Sequence, residues 1–540
     1  MKKAKLSVLA LTAMSALGLA ACGNQNNSSA PKNEVNMSEP TNLLTLDQSK
    51  LVDQVSDVTL NNSNQGLLVM TKDSKVVPGV AKSYHVSKDG KTYTFNLRHS
   101  KWSNGTAVTA KDFVYGFQRS VNPKTAAAYQ YLFDNVHNAG AVSKGKMPVS
   151  SLGVKAEGDY KFVVNLDKPQ TYFKYVATMP PTYPQSQAEV NKYGQGYATN
   201  SDKQLYNGAF QVKGWNGTND NWQLVKNPYY WDKNNTKLSK MNFSVAKDSQ
   251  TALDQYQSGK LDEMQLSGKS QVSSFKGNSE YHARKEAGTF YLEMNQKKVP
   301  ALKNVNVRKA LSLAINRNEL TNNVLGNGSV PAKGFVASDM AKYQGKDFTD
   351  DGYVSSAVQN NLKEAKQLFA KGMKQVGQDK LTLSILSDDT SDSKTMTEFL
   401  QSELQKLPGL TINDVNVPAK VATSRTEKGD FDVTVGAWIA DFPDPVSFMS
   451  LMTTNNGYNH GGWSNSQYDS LMQKATTADA NNYGKRWNDM VKAQKVMLND
   501  QAVVPLYQLV SPQVLKNRVQ GVNYYPSGGN YDFRYVHTNN

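Results

Sequence analysis

A single cysteine, Cys22, in 540 residues means the chain cannot close a disulfide within itself. Whatever it folds into is held by packed apolar cores. One such core stops growing at about 250–300 residues, so two or three domains are expected. A hydrophobic content of 39% and an aromatic content of 10% suit globular cores. The position of the cysteine is equally informative. It follows a basic start (Lys2, Lys3, Lys5), an apolar run from Leu6 to Leu19, and two alanines. That is the layout of a cleaved export signal, here residues 1–21. The apolar run is short of the roughly 20 residues that span a bilayer as a helix. No later segment approaches that length without charges.

Leu19-Ala20-Ala21-Cys22 resembles the lipobox of bacterial lipoproteins, in which the cysteine becomes the lipidated N-terminus. The resemblance implies lipidation at Cys22 and anchoring on the extracytoplasmic face of a cell membrane, in a Gram-positive bacterium. A lipobox implies at least two acyl chains, enough for stable attachment. The alternative is an ordinary secretory signal before a buried cysteine. Residues 22–36 are polar, cannot bury enough surface to offset ordering entropy, and read as a flexible tether. The formal charge is +15, or +12 without the three leader lysines. Lysine is interleaved with Asp and Glu and no nucleic-acid motif is present, so nucleic acid is not an expected partner. The excess suits anionic lipids and cell-wall polymers instead.

Periodicity gives a coarse map. Lys91 to Arg98 alternates polar and apolar after the turn signal Asp89-Gly90, and Tyr160 to Leu166 alternates again, as half-buried strands do. Thr109 opens a helix carrying Phe113, Val114 and Phe117. Helices are expected near 249–258, 307–325, 362–376, 393–406 and 482–499, with strands near 381–386, 431–436 and 503–510. Strands dominate early and alternate with helices later, which argues an α/β chain with an α+β insertion. No internal repeat is evident.

Several motifs then fall in one order. Leu44-Thr45-Leu46-Asp47 is followed by Phe95-Asn96-Leu97-Arg98, Lys101-Trp102-Ser103-Asn104-Gly105 and Val108-Thr109-Ala110-Lys111-Asp112-Phe113-Val114-Tyr115. Asn207-Gly208-Ala209-Phe210, Asn227-Pro228-Tyr229-Tyr230-Trp231, Ser258-Gly259-Lys260-Leu261-Asp262 and Val307-Arg308-Lys309-Ala310-Leu311 come next. Trp438-Ile439-Ala440-Asp441-Phe442-Pro443-Asp444-Pro445 and Val503-Val504-Pro505-Leu506-Tyr507 close the series. Together they resemble the family 5 extracellular solute-binding lipoproteins, the oligopeptide-binding components of ABC importers. The resemblance implies a periplasmic-binding-protein type II α/β fold with two clasping lobes and an inserted mostly-β domain. Lobe I would comprise 37–64, 190–290 and 508–540, the insertion 65–189 and lobe III 291–507. The crossovers between lobes would form a hinge. The implied partners are oligopeptides and an ABC permease with its ATPase subunits, and a monomer is expected.

The same resemblance implies site residues. Asp441 falls where the family binds a peptide's α-ammonium, a charge-assisted contact. Read alone, Asp441 could instead cap the turn before Pro443-Asp444-Pro445. Ala437 and Ile439 fall where backbone pairs with an extended peptide. Trp438 either walls a side-chain pocket or packs in the interlobe core. Leu51 to Ser56 is expected as the opposing strand, with Val52 and Gln54 as contacts. Tyr291, Asn459 and Tyr129 lie near contact positions or serve structure. Val435 stands where an enterobacterial relative has an arginine for the peptide carboxylate, and Val52 replaces an acidic residue. Both departures point to longer or more apolar peptides.

Catalytic constellations are not evident. The cysteine is committed to the leader. The six histidines, at 85, 99, 137, 282, 460 and 537, show no metal-ligand pair at helical spacing. Asp388, Asp389 and Asp392 read as a solvated loop. Asp441 with Asp444 only superficially resembles a paired-carboxylate hydrolase site. No phosphate-cradling glycine loop occurs, so no cofactor, metal or enzymatic activity is expected.

Overall fold

The computed structural model describes residues 33–539, so the leader 1–21, Cys22 and the tether to residue 32 lie outside the described residues. Ten strands in chain order build the path of the main sheet. They are β1 (Glu34–Glu39), β2 (Phe210–Lys213), β3 (Asn221–Lys226), β4 (Lys240–Val245) and β5 (Glu263–Gln265), followed by β6 (Tyr281–Met294), β7 (Leu381–Asp388), β8 (Leu410–Val417), β9 (Val433–Ile439) and β10 (Val503–Leu515). Their spatial order is β8-β7-β9-β6-β10-β5-β1-β4-β3-β2, and a short strand, Val330–Pro331, also pairs with β10. The two longest strands, β6 and β10, lie side by side and antiparallel in the middle. β6 runs across residue 291 and β10 across residue 507, and their pairing shifts register between Phe290 and Tyr291.

The first strand corrects the tether. Glu34–Glu39 pairs in parallel with β4 along its whole length, and Val35 and Met37 are buried. Their alternation with Glu34, Asn36 and Ser38 is a strand pattern inside an otherwise polar stretch. The ordered chain therefore begins before residue 36.

A separate antiparallel sheet joins Ala81–Val86, Thr92–Leu97, Lys161–Asn165 and Val154–Ala156. Its alternating residues bury Tyr93, Phe95, Phe162 and Val164. The helix Ala110–Val121 lays Phe113 and Phe117 against Phe162. Asp112 accepts from the Thr109 backbone N–H at 2.7 Å, half of the capping box that starts this helix.

The helix Leu362–Val376 buries one face, with Ala365, Phe369 and Met373 inward. The long helix expected over 307–325 is broken. Val305–Ala314 ends at Ile315, and Asn316 caps a new turn by accepting from the Glu319 N–H at 3.1 Å. Arg317 is then buried, with Nε donating to the Pro505 carbonyl at 2.6 Å. A π-helical turn, Leu320–Leu325, finishes the segment.

Candidate functional site

Strand β9 is the frame of the site. On one side it pairs with β6 throughout, from Met294 opposite Val433 to Gly288 opposite Ile439. On the other side β7 pairs with it only at Val433 and Thr434. Val435 to Ile439 therefore present an unpaired edge of backbone N–H and C=O groups, which an added strand can satisfy. Alternation turns Ala437 and Ile439 out into the open, with Ile439 42% exposed. A cavity of about 280 Å³ runs along Val435 to Trp438, bounded also by Glu293, Tyr458 and His460.

Asp441 lies just beyond the end of this edge. The turn that follows is capped by Asp444, whose Oδ1 accepts from the Val446 N–H at 3.0 Å. Asp444 is also held by a buried bidentate pair with Arg486, at 2.8 and 2.6 Å. The Asp441 carboxylate makes no bond to that turn. It accepts the Tyr131 hydroxyl at 2.7 Å, and Tyr131 stacks on Tyr129. Burial pushes Asp441 up to about 6, with the Tyr131 hydrogen bond opposing. Asp57, which accepts from Asn61 Nδ2 at 2.7 Å, is pushed up to about 7 by burial and then by the neighbouring charges of Asp441 and Asp53. This end of the cleft thus holds an excess of carboxylates that a cation would relieve.

The other expected residues divide. Trp438 lines the cavity, packs edge-on to Tyr458 at 5.1 Å, and directs its indole N–H to Ser447 Oγ at 3.4 Å. Tyr291 is buried edge-on against Phe335, and a Cβ on Gly436 would come within 2.8 Å of its ring, so it is the floor under the edge. Asn459 is held by its own loop. Its Nδ2 donates to the Thr453 and Trp463 carbonyls and its Oδ1 accepts from the Trp463 N–H, so the buried amide is committed to its own loop. The opposing strand over Leu51 to Ser56 is corrected. Asp53 caps the helix Gln54–Ser63 by accepting from the Ser56 N–H at 2.8 Å, which turns the chain out of extended backbone. Val52 lies in the short extended piece before it, 59% exposed, and Gln54 is the first helical residue. Sequence reasoning missed Tyr131 and Asp57. Asp57 in a helical first turn reads only as dipole stabilisation, and nothing local to Tyr131 marks a partner 310 positions away.

A large mixed sheet crossed at its middle by two long strands, with a strand edge left open beside a cleft, defines a binding protein of the periplasmic type II fold with two clasping lobes. The chain belongs to the bacterial extracellular solute-binding proteins, family 5, whose sequence model matches residues 75–460. It is 36% identical to a dipeptide-binding protein of Lactococcus lactis subsp. cremoris, over 99% of each chain. Among solved structures, OppA of Listeria monocytogenes bound to peptide superposes with a TM-score of 0.79 at 35% identity, covering 95% of this chain and 100% of that one. The pheromone receptor PrgZ gives a TM-score of 0.79 at 34% identity, covering 94% and 100%.

Proposed function

We propose that the chain is an extracytoplasmic receptor that binds oligopeptides along the Val435–Ile439 edge and hands them to an ABC permease, tethered to the membrane through a lipid on Cys22. The observation that carries this reading is the open edge ending at Asp441. An extended peptide adds a strand there, and its α-ammonium meets Asp441 with Tyr131 holding the carboxylate in place. Five unpaired residues accommodate about five peptide residues at ~3.3 Å each, which favours ligands longer than four. No arginine or lysine lines the cavity beside Val435. Lys297 and Lys428 line the next cavity along, which shares Glu427 and His460 with it. Longer peptides place their carboxylate there.

Mass spectrometry of the fraction captured from a mixed peptide pool tests the reading. Intact peptides with free amino termini are expected. Shortened products would indicate hydrolysis, and retention of unfolded chains alone would indicate a chaperone or adhesin. The similarity to a pheromone receptor keeps a signalling role in view, for which one dominant sequence is the expected signature. Release of the protein from membranes by Cys22→Ala tests the anchor.

A further inference from the structure

Next to the Asp441 end of the cleft is a second concavity, built by carboxylates that a peptide backbone does not engage. Glu39 ends β1, Glu263 begins β5, and Glu286 lies in β6 where its pairing with β10 slips between Lys285 and Thr289. The three surround a cavity of about 230 Å³ that Gln54, Gln265 and Ser511 also line, and no basic side chain reaches it. Glu263 and Glu286 are each only 4% exposed. One oxygen of each is satisfied: Gln513 Nε2 donates to Glu263 Oε1 at 2.6 Å, and the Ser511 hydroxyl donates to Glu286 Oε1. Glu286 Oε2 has no hydrogen-bond partner among the described residues, whereas the Ser38 backbone adds a hydrogen bond to the Glu263 carboxylate. The nearby Arg284 directs its Nε to Gln513 at 3.2 Å, and its charge opposes the effect of burial on Glu263 without a direct hydrogen bond to it.

Buried carboxylates without a counter-charge are costly. Burial pushes Glu263 up to about 7, and burial with the charges of Glu263 and Asp53 pushes Glu39 up to about 8. A cation entering the cavity reverses that cost. A bare metal ion does not fit the geometry, since no group of three or more metal-ligating side chains suitably placed to hold one occurs among the described residues. The space suits an aliphatic stem with a cationic head. An adjoining wider concavity shares Gln54, Glu286 and Ser511 with it and reaches Ile439, giving a path from the strand edge.

We propose that this cavity is a side-chain subsite selecting lysine or arginine near the amino terminus of the bound peptide, with Glu263 and Glu286 as its anionic wall. The proposal rests on the peptide-receptor reading and adds the charge preference. Calorimetry with Arg-Ala-Ala-Ala-Ala and its citrulline-first counterpart tests it, because citrulline keeps the shape and loses the charge. The arginine peptide is expected to bind the unaltered protein at least about tenfold more tightly. Moving the arginine to the fifth position should remove the advantage. In the Glu263→Gln/Glu286→Gln double variant the advantage should fall below about threefold while the citrulline peptide is little affected. Equal binding of arginine and citrulline peptides overturns the subsite and leaves the receptor reading standing. An advantage that persists at the fifth position, or in the folded double variant, overturns it too. Failure of every free-amino peptide to bind overturns both.

Discussion

Asp441 and Asp444 are three positions apart and have opposite fates. Asp444 is consumed by Arg486 and the turn at Val446, whereas Asp441 is offered to the cleft with one phenol for company. Replacing Asp441 with Asn should cost a free-amino peptide about 2 kcal/mol, roughly thirtyfold in Kd, and an N-acetylated peptide much less. Equal losses in a calorimetric comparison would reject the ammonium contact. The ammonium needs the ionised carboxylate, so affinity should fall as pH drops through about 6, where Asp441 takes up its proton. It should level off above about pH 7, and Asp441→Asn should flatten the profile. Asp57 behaves differently because its effect is on stability. Its folded-state value, raised to about 7, lies above the ordinary 3.8, so the folded chain holds the proton more tightly. The penalty is absent below about 4 and grows as pH rises towards 7. Asp57→Asn should therefore raise the melting temperature of the ligand-free protein at pH 8 more than at pH 5.

At the scale of elements, β9 acts through what it lacks. β7 follows it for two residues and diverges, leaving five without a partner. A peptide carrying N-methyl groups at alternate positions should lose affinity in one phase of the alternation and keep it in the other, since only every second amide of an edge-pairing strand faces its partner. Asn459→Ala gives a contrast. It removes three hydrogen bonds from the loop between Thr453 and Trp463 and should lower stability by about 1–3 kcal/mol, with peptide affinity nearly unchanged once the protein is folded. Denaturant titration beside calorimetry separates the two. These elements were unequally legible. The strands around Tyr93 and Phe162 follow from alternation, and the helix over Leu362–Val376 from its apolar face, because both patterns are local. The break at Ile315–Asn316 depends on a buried Arg317 reaching Pro505, and the open edge of β9 depends on where β7 ends. Neither is written in a window of neighbouring residues. Asp53 could have been read as a cap, but the family resemblance drew attention to an opposing strand instead.

At the scale of the molecule, side chains from residues 89–172 and from residues 441–486 touch across the cleft. Tyr172 stacks on Phe442 with centroids 5.2 Å apart and planes 9° from parallel, and Arg486 lies over the same tyrosine ring at 5.5 Å. Asn481 Nδ2 donates to the Asp89 carbonyl at 3.0 Å, and Tyr131 reaches Asp441. These contacts tie the two sides of the cleft to each other. A stacked pair contributes about 0.5–1.5 kcal/mol, enough to shift a two-state equilibrium by a few-fold to tenfold. Tyr172→Ala should enlarge the radius of gyration of the ligand-free protein in small-angle scattering, and saturating peptide should restore it. No change on substitution would mean that closure is fixed elsewhere.

The strand at the centre of the sheet is one of the last to be made. β10, Val503–Leu515, separates β6 from β5, so the halves of the sheet are joined only through residues near the carboxyl end. The small sheet between Ala81 and Asn165 needs only local chain and can form early, whereas the main sheet waits for contacts of long sequence separation. A chain stalled or clipped before residue 503 would carry Asp441 and the β9 edge without the strand that joins them to β5 and β1. The sheet that carries the open β9 edge is therefore completed only once residues 503–515 have been made.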